Sequence, residues 1–323
     1  MITFIVTTYN LEDWLLRRCL TSIVAQGIAS YEIIVVDDES DISPRHVVEE
    51  FFEQADIRLY TQKHSRQGAA RNLALHHAKG QWIQFVDGDD YLLPNTVKSI
   101  LEMAERLKLD LLMFGYREIY SQSMEHIQES QTRMSRITSG NEYMLQHNLF
   151  GSCCTLLFCR ALLDAPEHGQ PLRFTEHIYI EDEEFVTQLV WRAQRMAKTE
   201  CIVYAYYQRP ESTTHNRTQA HTDELFRNYF VVLKRLLQFE ASIAAKPHEG
   251  LTRKIRFLAI DIMRRTLREK DWKSRWDKTT TQLRDLGLYP IPAAQYSWKY
   301  RIFSLLSQSH LGRHLLKVTE HLS

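Results

Sequence analysis

The stretch Gln81-Trp82-Ile83-Gln84-Phe85-Val86-Asp87-Gly88-Asp89-Asp90 decides the fold. Gln81–Asp87 is dominated by aromatic and β-branched residues, as in a strand buried on both faces, and it runs into an acidic turn. The pattern repeats on either side. Ile2–Thr8 reads as a buried strand, and Trp14, Leu15, Arg18, Cys19, Ser22 and Ile23 follow at helical spacing behind caps at Asn10 and Asp13. Tyr31–Asp37 gives a second strand, Pro44–Gln54 a second helix, Ile57–Thr61 a third strand and Gly68–Ala78 a third helix. Beyond the acidic turn, Pro94–Leu107 reads as a helix opened by its proline and Leu109–Tyr116 as a fifth strand. Strands alternating with helices predict an α/β fold with a mostly parallel sheet flanked by helices.

After Tyr116 the alternation stops. Ser121–Arg136 is polar and loop-like, Cys153–Cys159 reads as a strand, Asp182–Arg195 as a helix and Ile202–Tyr207 as a strand. Beyond about Asp223 only helical patterns occur, broken at Lys246–Gly250 and Pro290–Pro292. The predicted division is an α/β region over 1–220, with halves 1–116 and 117–220, and a helical C-terminal appendage over 221–323. No internal repeat points to a solenoid.

The 323 residues are 44% hydrophobic and 25% charged, which excludes disordered and low-complexity classes. A formal net charge of +0 removes any global case for nucleic-acid binding, so no nucleic-acid partner is expected. The balance hides an asymmetry: Leu251–Ser323 holds 15 Lys and Arg against 6 Asp and Glu. No run reaches the roughly 18 apolar residues a membrane span needs, and Met1 leads into a strand-like run rather than a signal leader, so the expected location is cytoplasmic. Five cysteines without paired CxxC spacing read as reduced, mostly buried thiols.

In doubly wound sheets, ligands sit at the carboxyl ends of strands. Two predicted strands end there in acid: Val36-Asp37-Asp38-Glu39-Ser40 and Val86-Asp87-Gly88-Asp89-Asp90. Clustered carboxylates repel unless a cation or hydrogen-bond donors compensate, and Mg²⁺ or Mn²⁺ held by one or two carboxylates plus phosphate oxygens is one such cation. The alternative is a polar turn, where Asp and Gly are favoured anyway. A nicotinamide dehydrogenase would carry GxGxxG after the first strand, and a sugar-phosphate nucleotidyltransferase a glycine-rich basic loop. Tyr9-Asn10-Leu11-Glu12-Asp13 stands there instead.

Five ordered segments, Ile5-Val6-Thr7-Thr8-Tyr9-Asn10, Val36–Ser40, Gly68-Ala69-Ala70-Arg71-Asn72, Asp87–Asp90 and Glu181-Asp182-Glu183-Glu184-Phe185, together resemble family 2 of the glycosyltransferases over roughly residues 1–215. The resemblance implies a GT-A fold, with 1–116 as the nucleotide-sugar half and 117–220 as the acceptor half. It implies Thr7 and Tyr9 beside the nucleotide, Asp38 accepting uracil N3–H of a UDP-sugar, and Asp87 on the ribose. Asp89 would hold Mn²⁺ or Mg²⁺. Arg71 would contact the donor, or pair with Asp87 or Asp38. Asp90 either assists or caps its turn, and Asp37 is structural.

The run Glu181–Glu184 fits a solvated helix start favoured by the helix dipole. The resemblance instead places the general base at the Asp of such a pair, Asp182. An acceptor hydroxyl deprotonated by Asp182 would displace the nucleoside diphosphate from the opposite face, in one inverting step. The acceptor expected is a glycan or lipid-linked saccharide, and the rival is a degenerate sugar-nucleotide-binding or assembly protein that has lost turnover. Arg209–Asn216 is a donor-rich loop in which His215 is a candidate contact of metal or phosphate; His64, His76 and His77 receive no role. Trp272, Lys273, Arg275 and Trp276, with Trp298–Phe303, form basic aromatic segments that fit either peripheral membrane contact or a solvated face.

Overall fold

Seven consecutive buried residues form β1 (Ile2–Thr8), an interior strand of the sheet in a computed structural model that describes residues 1–120, 133–164, 170–209, 218–243 and 245–322. The chain divides into two compact units, Met1–Gly140 with Phe150–Thr218, and Asn141–Leu149 with Gln219–Ser323.

In the first unit β1 is followed by α1 (Asp13–Val24), β2 (Tyr31–Asp37), α2 (Arg45–Glu49), β3 (Ile57–Thr61), α3 (Arg66–His77) and β4 (Trp82–Asp87). Then come β5 (Tyr91–Leu92), α4 (Thr96–Arg106), β6 (Leu111–Ile119), α5 (Gly140–Gln146), which crosses into the second unit, β7 (Leu156–Cys159), α6 (Ala161–Asp164), α7 (Glu181–Arg192) and β8 (Met196–Tyr207). The eight strands form one sheet in the order β3-β2-β1-β4-β7-β6-β8-β5. β3, β2, β1 and β4 are mutually parallel, as are β6 and β8, while β7 and β5 run antiparallel to their neighbours. Register pairs Thr8 with Asp37 and Thr7 with Asp87, so both acidic strand ends lie at the same edge, on either side of β1.

Several local expectations change. α1 carries no side-chain cap, and Asn10 instead bonds across to Ser40 and Asp41. α2 ends at Glu49, because residues 50–54 tighten into turns closed by bonds such as Glu50 N–H to Val47 O and Gln54 N–H to Phe51 O. Pro94 lies before the left-handed Asn95 rather than inside α4. Cys153–Thr155 is a 3₁₀ turn, so only its continuation is strand. Tyr91–Leu92, assigned no element from sequence, pairs with β8. None of the five cysteines is in a disulfide, and four of them are buried.

The second unit holds α8 (Gln219–Ser242), α9 (Glu249–Arg268), α10 (Trp272–Asp285), α11 (Trp298–Leu306) and α12 (His310–Leu322). Segment 141–149 belongs here for a polar reason: Arg253 of α9 donates to Met144 O, His147 O and Asn148, and Lys254 donates to Leu149 O. On α10 the aromatic half of the expected face is missing: Trp272 and Trp276 are buried, with Lys317 over Trp272 and Arg313 over Trp276, and Arg275 pairs with Asp223, while Lys273 stays exposed. Among the described residues no helix is long and apolar enough to cross a membrane.

Candidate active site

The site grows from α3, whose first turns follow the end of β3. Gly68 lets this helix approach the chain before α7; a Cβ there would lie 2.9 Å from Thr175 O and 3.1 Å from Glu181 Cγ. One turn on, Arg71 is 2% exposed. Its Nη2 donates to Asp87 Oδ1 at 2.9 Å, and its Nη1 to Glu181 Oε1 at 2.9 Å and Asp182 Oδ1 at 2.5 Å. One guanidinium therefore joins the end of β4 to the start of α7. Burial opposes its charge, but Asp182 and Asp87 outweigh it and hold Arg71 protonated well above its ordinary range. Phe85 and Phe174 pack against the guanidinium.

Asp182 keeps a side chain 21% exposed, and its Oδ2 accepts the Cys153 N–H at 3.2 Å. Burial raises its pKa; Arg71 pulls the other way and Asp87 adds to the rise. Glu181 is more enclosed, and burial, then the charge of Asp182, pushes it up to about 7. The two carboxylates follow Ile180, which has a φ of 60°. That left-handed conformation is unusual for a β-branched residue, and such strain persists where the surroundings over-determine it. Here an aromatic cluster of Phe85, Phe158, Phe174 and Phe185 fixes the start of α7.

The acidic turn separates its carboxylates by environment. Asp87 Oδ1 also accepts from Gln67 Nε2 at 2.7 Å, and Gln67 reaches Thr7 Oγ1 at 3.4 Å. Gly88 is required by packing, since a Cβ would meet Leu11 Cδ1 and Thr7 O at 2.9 Å. Asp89 is 21% exposed and paired through Oδ2 to Arg209 Nε at 2.8 Å, while Arg18 donates to its carbonyl. Burial and the field of Asp87 raise the Asp89 pKa, against Arg209. Asp90 points into the core, where Tyr204 OH donates to Oδ2 at 2.6 Å and Tyr207 N–H to Oδ1 at 2.7 Å. Of the two readings left open for Asp90, this arrangement is the structural one, although it ties the turn to β8 and not to itself. Asp37 likewise accepts Ser40 N–H.

At the end of β2, Asp38 accepts from Gln62 Nε2, Ser65 N–H and Arg66 N–H, with His64 Nδ1 at 3.0 Å. It orders the loop between β3 and α3. Tyr9 is exposed and lies against the His64 ring, with centroids 4.5 Å apart. Asp38, Tyr9 and His64 thus form a second group at the same sheet edge, and Arg71 does not pair with Asp38.

Three carboxylates here are partly exposed, Asp87 at 27% and Asp89 and Asp182 at 21% each; Asp87 and Asp182 share the buried Arg71, and Asp89, paired to the less buried Arg209, is the candidate ligand of a divalent ion. Among the described residues no three His, Cys, Asp or Glu side chains gather as metal ligands. A single carboxylate whose ionisation is opposed by burial and a neighbouring Asp suits an ion that takes its remaining ligands from phosphate and water. His215 lies outside the described residues.

Sequence reasoning missed Gln67, Tyr204 and Arg18 as partners of the acidic turn, passed over His64, and read Arg209 only as part of a donor-rich loop. Gln67 had a usable signal: it lies one helical turn before Arg71, on the same face of a helix at the sheet edge.

A family profile described as Glycosyl transferase family 2 matches residues 3–165. The chain belongs to this family. It is 27% identical over 259 residues to the uncharacterized glycosyltransferase EpsJ of Bacillus subtilis (strain 168), across 78% of this chain and 71% of that one. It is 30% identical over 125 residues to the UDP-Glc:alpha-D-GlcNAc-diphosphoundecaprenol beta-1,3-glucosyltransferase WfgD of Escherichia coli, across 38% of this chain and 49% of that one. In fold it is similar to S. aureus TarS 1-349 in complex with UDP-GlcNAc, with a TM-score of 0.69 at 18% identity over 99% of this chain and 88% of that one. It is also similar to the mannosyltransferase PcManGT from Pyrobaculum calidifontis in complex with GDP-Man and Mn²⁺, with a TM-score of 0.52 at 14% identity over 99% of this chain and 86% of that one. The sheet of this family 2 glycosyltransferase is of GT-A type, as its motifs imply.

Proposed function

We propose that this glycosyltransferase moves a hexosyl or N-acetylhexosaminyl group from a UDP-sugar to a hydroxyl of a glycan or lipid-linked saccharide, with inversion. The observation that carries the reading is the Arg71 bridge, which joins Asp87 on the strand-end side to Asp182 on the helix-start side. Donor chemistry and acceptor chemistry then share one guanidinium. A uridine donor is supported by the UDP-GlcNAc in the TarS complex and by the UDP-Glc in the name of WfgD, and that name also supports a lipid-diphosphate-linked acceptor.

In this reading Thr7 and Tyr9 border the nucleotide and Asp87 takes the ribose through Oδ2, its Oδ1 being held by Gln67 and Arg71. Asp38 would accept uracil N3–H. Two of its bonds come from backbone N–H groups of an ordered loop, so the exchangeable donors are the side chains of Gln62 and His64. Asp182 removes the acceptor proton; its raised pKa suits a base working near neutral pH. Arg209 and Asp89 would face the leaving diphosphate, and Asp89 would hold Mn²⁺ or Mg²⁺, which would supply positive charge to the departing phosphate.

The test is a donor panel with Mn²⁺ or Mg²⁺ and chelator controls, following release of free nucleoside diphosphate. Turnover of a UDP-sugar by wild type, and its loss in Asp182→Asn, supports the proposal. Turnover confined to cytidine or adenosine donors, whose corresponding ring nitrogen is an acceptor with no N–H, removes the Asp38 assignment, and no turnover with any donor favours the binding-protein alternative.

A further inference from the structure

α11 and α12 each leave an apolar stripe in solvent. Trp298, Ile302 and Leu305 on α11, and Leu311, Leu315 and Val318 on α12, are all between 47% and 74% exposed. Both sets follow i, i+4, i+7 spacing, so each lies along one helix face. The opposite faces are satisfied: Tyr300 and Phe303 on α11, and Gly312 and Leu316 on α12, are buried. Soluble proteins seldom leave apolar helix stripes of this kind in solvent without an occupant.

The charges beside the stripe indicate the occupant. On a helical projection, exposed Arg301 and Lys299 fall on opposite sides of the Trp298–Ile302–Leu305 line, and no acidic residue occurs in α11. They sit within a region where Lys and Arg outnumber Asp and Glu by 15 to 6. A second copy meeting this face through a two-fold axis would bring like charges together. An anionic surface with an apolar interior complements both the stripe and its cationic borders.

We propose that the α11–α12 face docks on an anionic lipid bilayer, with the apolar stripes at the acyl boundary and Lys299 and Arg301 at the level of the phosphates. Of the segments expected from sequence, Trp272 and Trp276 lie in the core and Trp298, Lys299, Arg301 and Ile302 of α11 stay exposed; the α12 stripe is not among those segments.

Flotation of the full chain with phosphatidylcholine vesicles, with and without about 30% phosphatidylglycerol, tests the assignment. Wild type should float with the anionic vesicles and be released by salt. W298S/I302S/L305S should lower partitioning by about tenfold or more, since each buried apolar side chain contributes substantially to insertion. K299E/R301E, two surface changes that leave the stripe intact, should also detach the protein, and circular-dichroism melting should match wild type in both variants. Absence of flotation, or flotation unchanged in both variants, overturns the proposal. So does a dimer, measured by light scattering, that the apolar variant dissociates while no flotation occurs.

Discussion

Replacing Glu181 with Gln should stabilise the protein above neutral pH, although it removes a carboxylate that touches Arg71. The Glu181 side chain is 7% exposed and 2.9 Å from Arg71 Nη1. Burial and the neighbouring Asp182 nevertheless lift its pKa to about 7 from an ordinary 4.5. A group whose folded pKa lies above its unfolded value contributes stability that is complete below the unfolded value and is lost as pH rises through the folded one. For this gap the loss amounts to about 3 kcal/mol at pH 8 and under about 1 kcal/mol at pH 5. Gln is neutral throughout and its Oε1 can still accept from Arg71, so E181Q should exceed wild type by those amounts. With an m-value of about 3 kcal/mol per molar urea, the midpoint at pH 8 should rise by about 1 M, and at pH 5 by a small fraction of that. Urea titrations followed by circular dichroism at the two pH values measure it. A midpoint at pH 8 that falls or stays fixed would mean that the Arg71 attraction exceeds the burial penalty. A gain of equal size at both pH values would show that the effect is not one of ionisation.

Asp182→Asn should lower transfer by about a hundredfold to ten-thousandfold while leaving UDP-sugar binding in place, as steady-state rates and calorimetric titration would show. In wild type the rate should fall as pH drops through the raised pKa of Asp182, placing the acid limb above the ordinary carboxylate range. Asp89→Ala should lower transfer at least about a hundredfold and abolish any gain in donor affinity on adding Mn²⁺, read by titration with and without the ion. Tyr204→Phe removes the hydroxyl that donates to Asp90 and accepts the Asp87 N–H at 3.1 Å, and should cost about 1–3 kcal/mol in a denaturant titration.

The parallel half of the sheet is legible in the sequence because its strands are buried on both faces: β1, β2 and β4 read as nearly unbroken apolar runs that end in polar residues. β5 is not legible, since two residues give no period and Tyr91–Leu92 becomes strand only by pairing with β8. The acidic motifs could be placed at strand ends, but their wiring could not. Arg71 meets Glu181 and Asp182 across 110 and 111 positions of chain, and Tyr204 reaches Asp90 across 114. No local pattern encodes contacts of that span; the sequence limits only which residue types are available to make them.

The wiring also divides each acidic pair. Asp90 is 1% exposed and Asp89 21%; Glu181 is 7% exposed and Asp182 21%. In both pairs one carboxylate turns inward to donors of the fold and its neighbour stays within reach of solvent, Asp89–Asp90 in the turn between β4 and β5 and Glu181–Asp182 at the first turn of α7. The outward member is then the one placed for chemistry, while the inward member answers to the fold, Asp90 through its two donors and Glu181 at a cost that grows with pH. Asp90→Asn separates these roles. It keeps the size of the side chain but turns one acceptor oxygen into a donor facing Tyr204 OH or Tyr207 N–H, which should cost about 1–3 kcal/mol in denaturant titration. Transfer per folded molecule should change far less than in Asp89→Ala. If Asp90→Asn instead lost transfer at unchanged stability, Asp90 would belong to the chemistry and the division by exposure would be wrong.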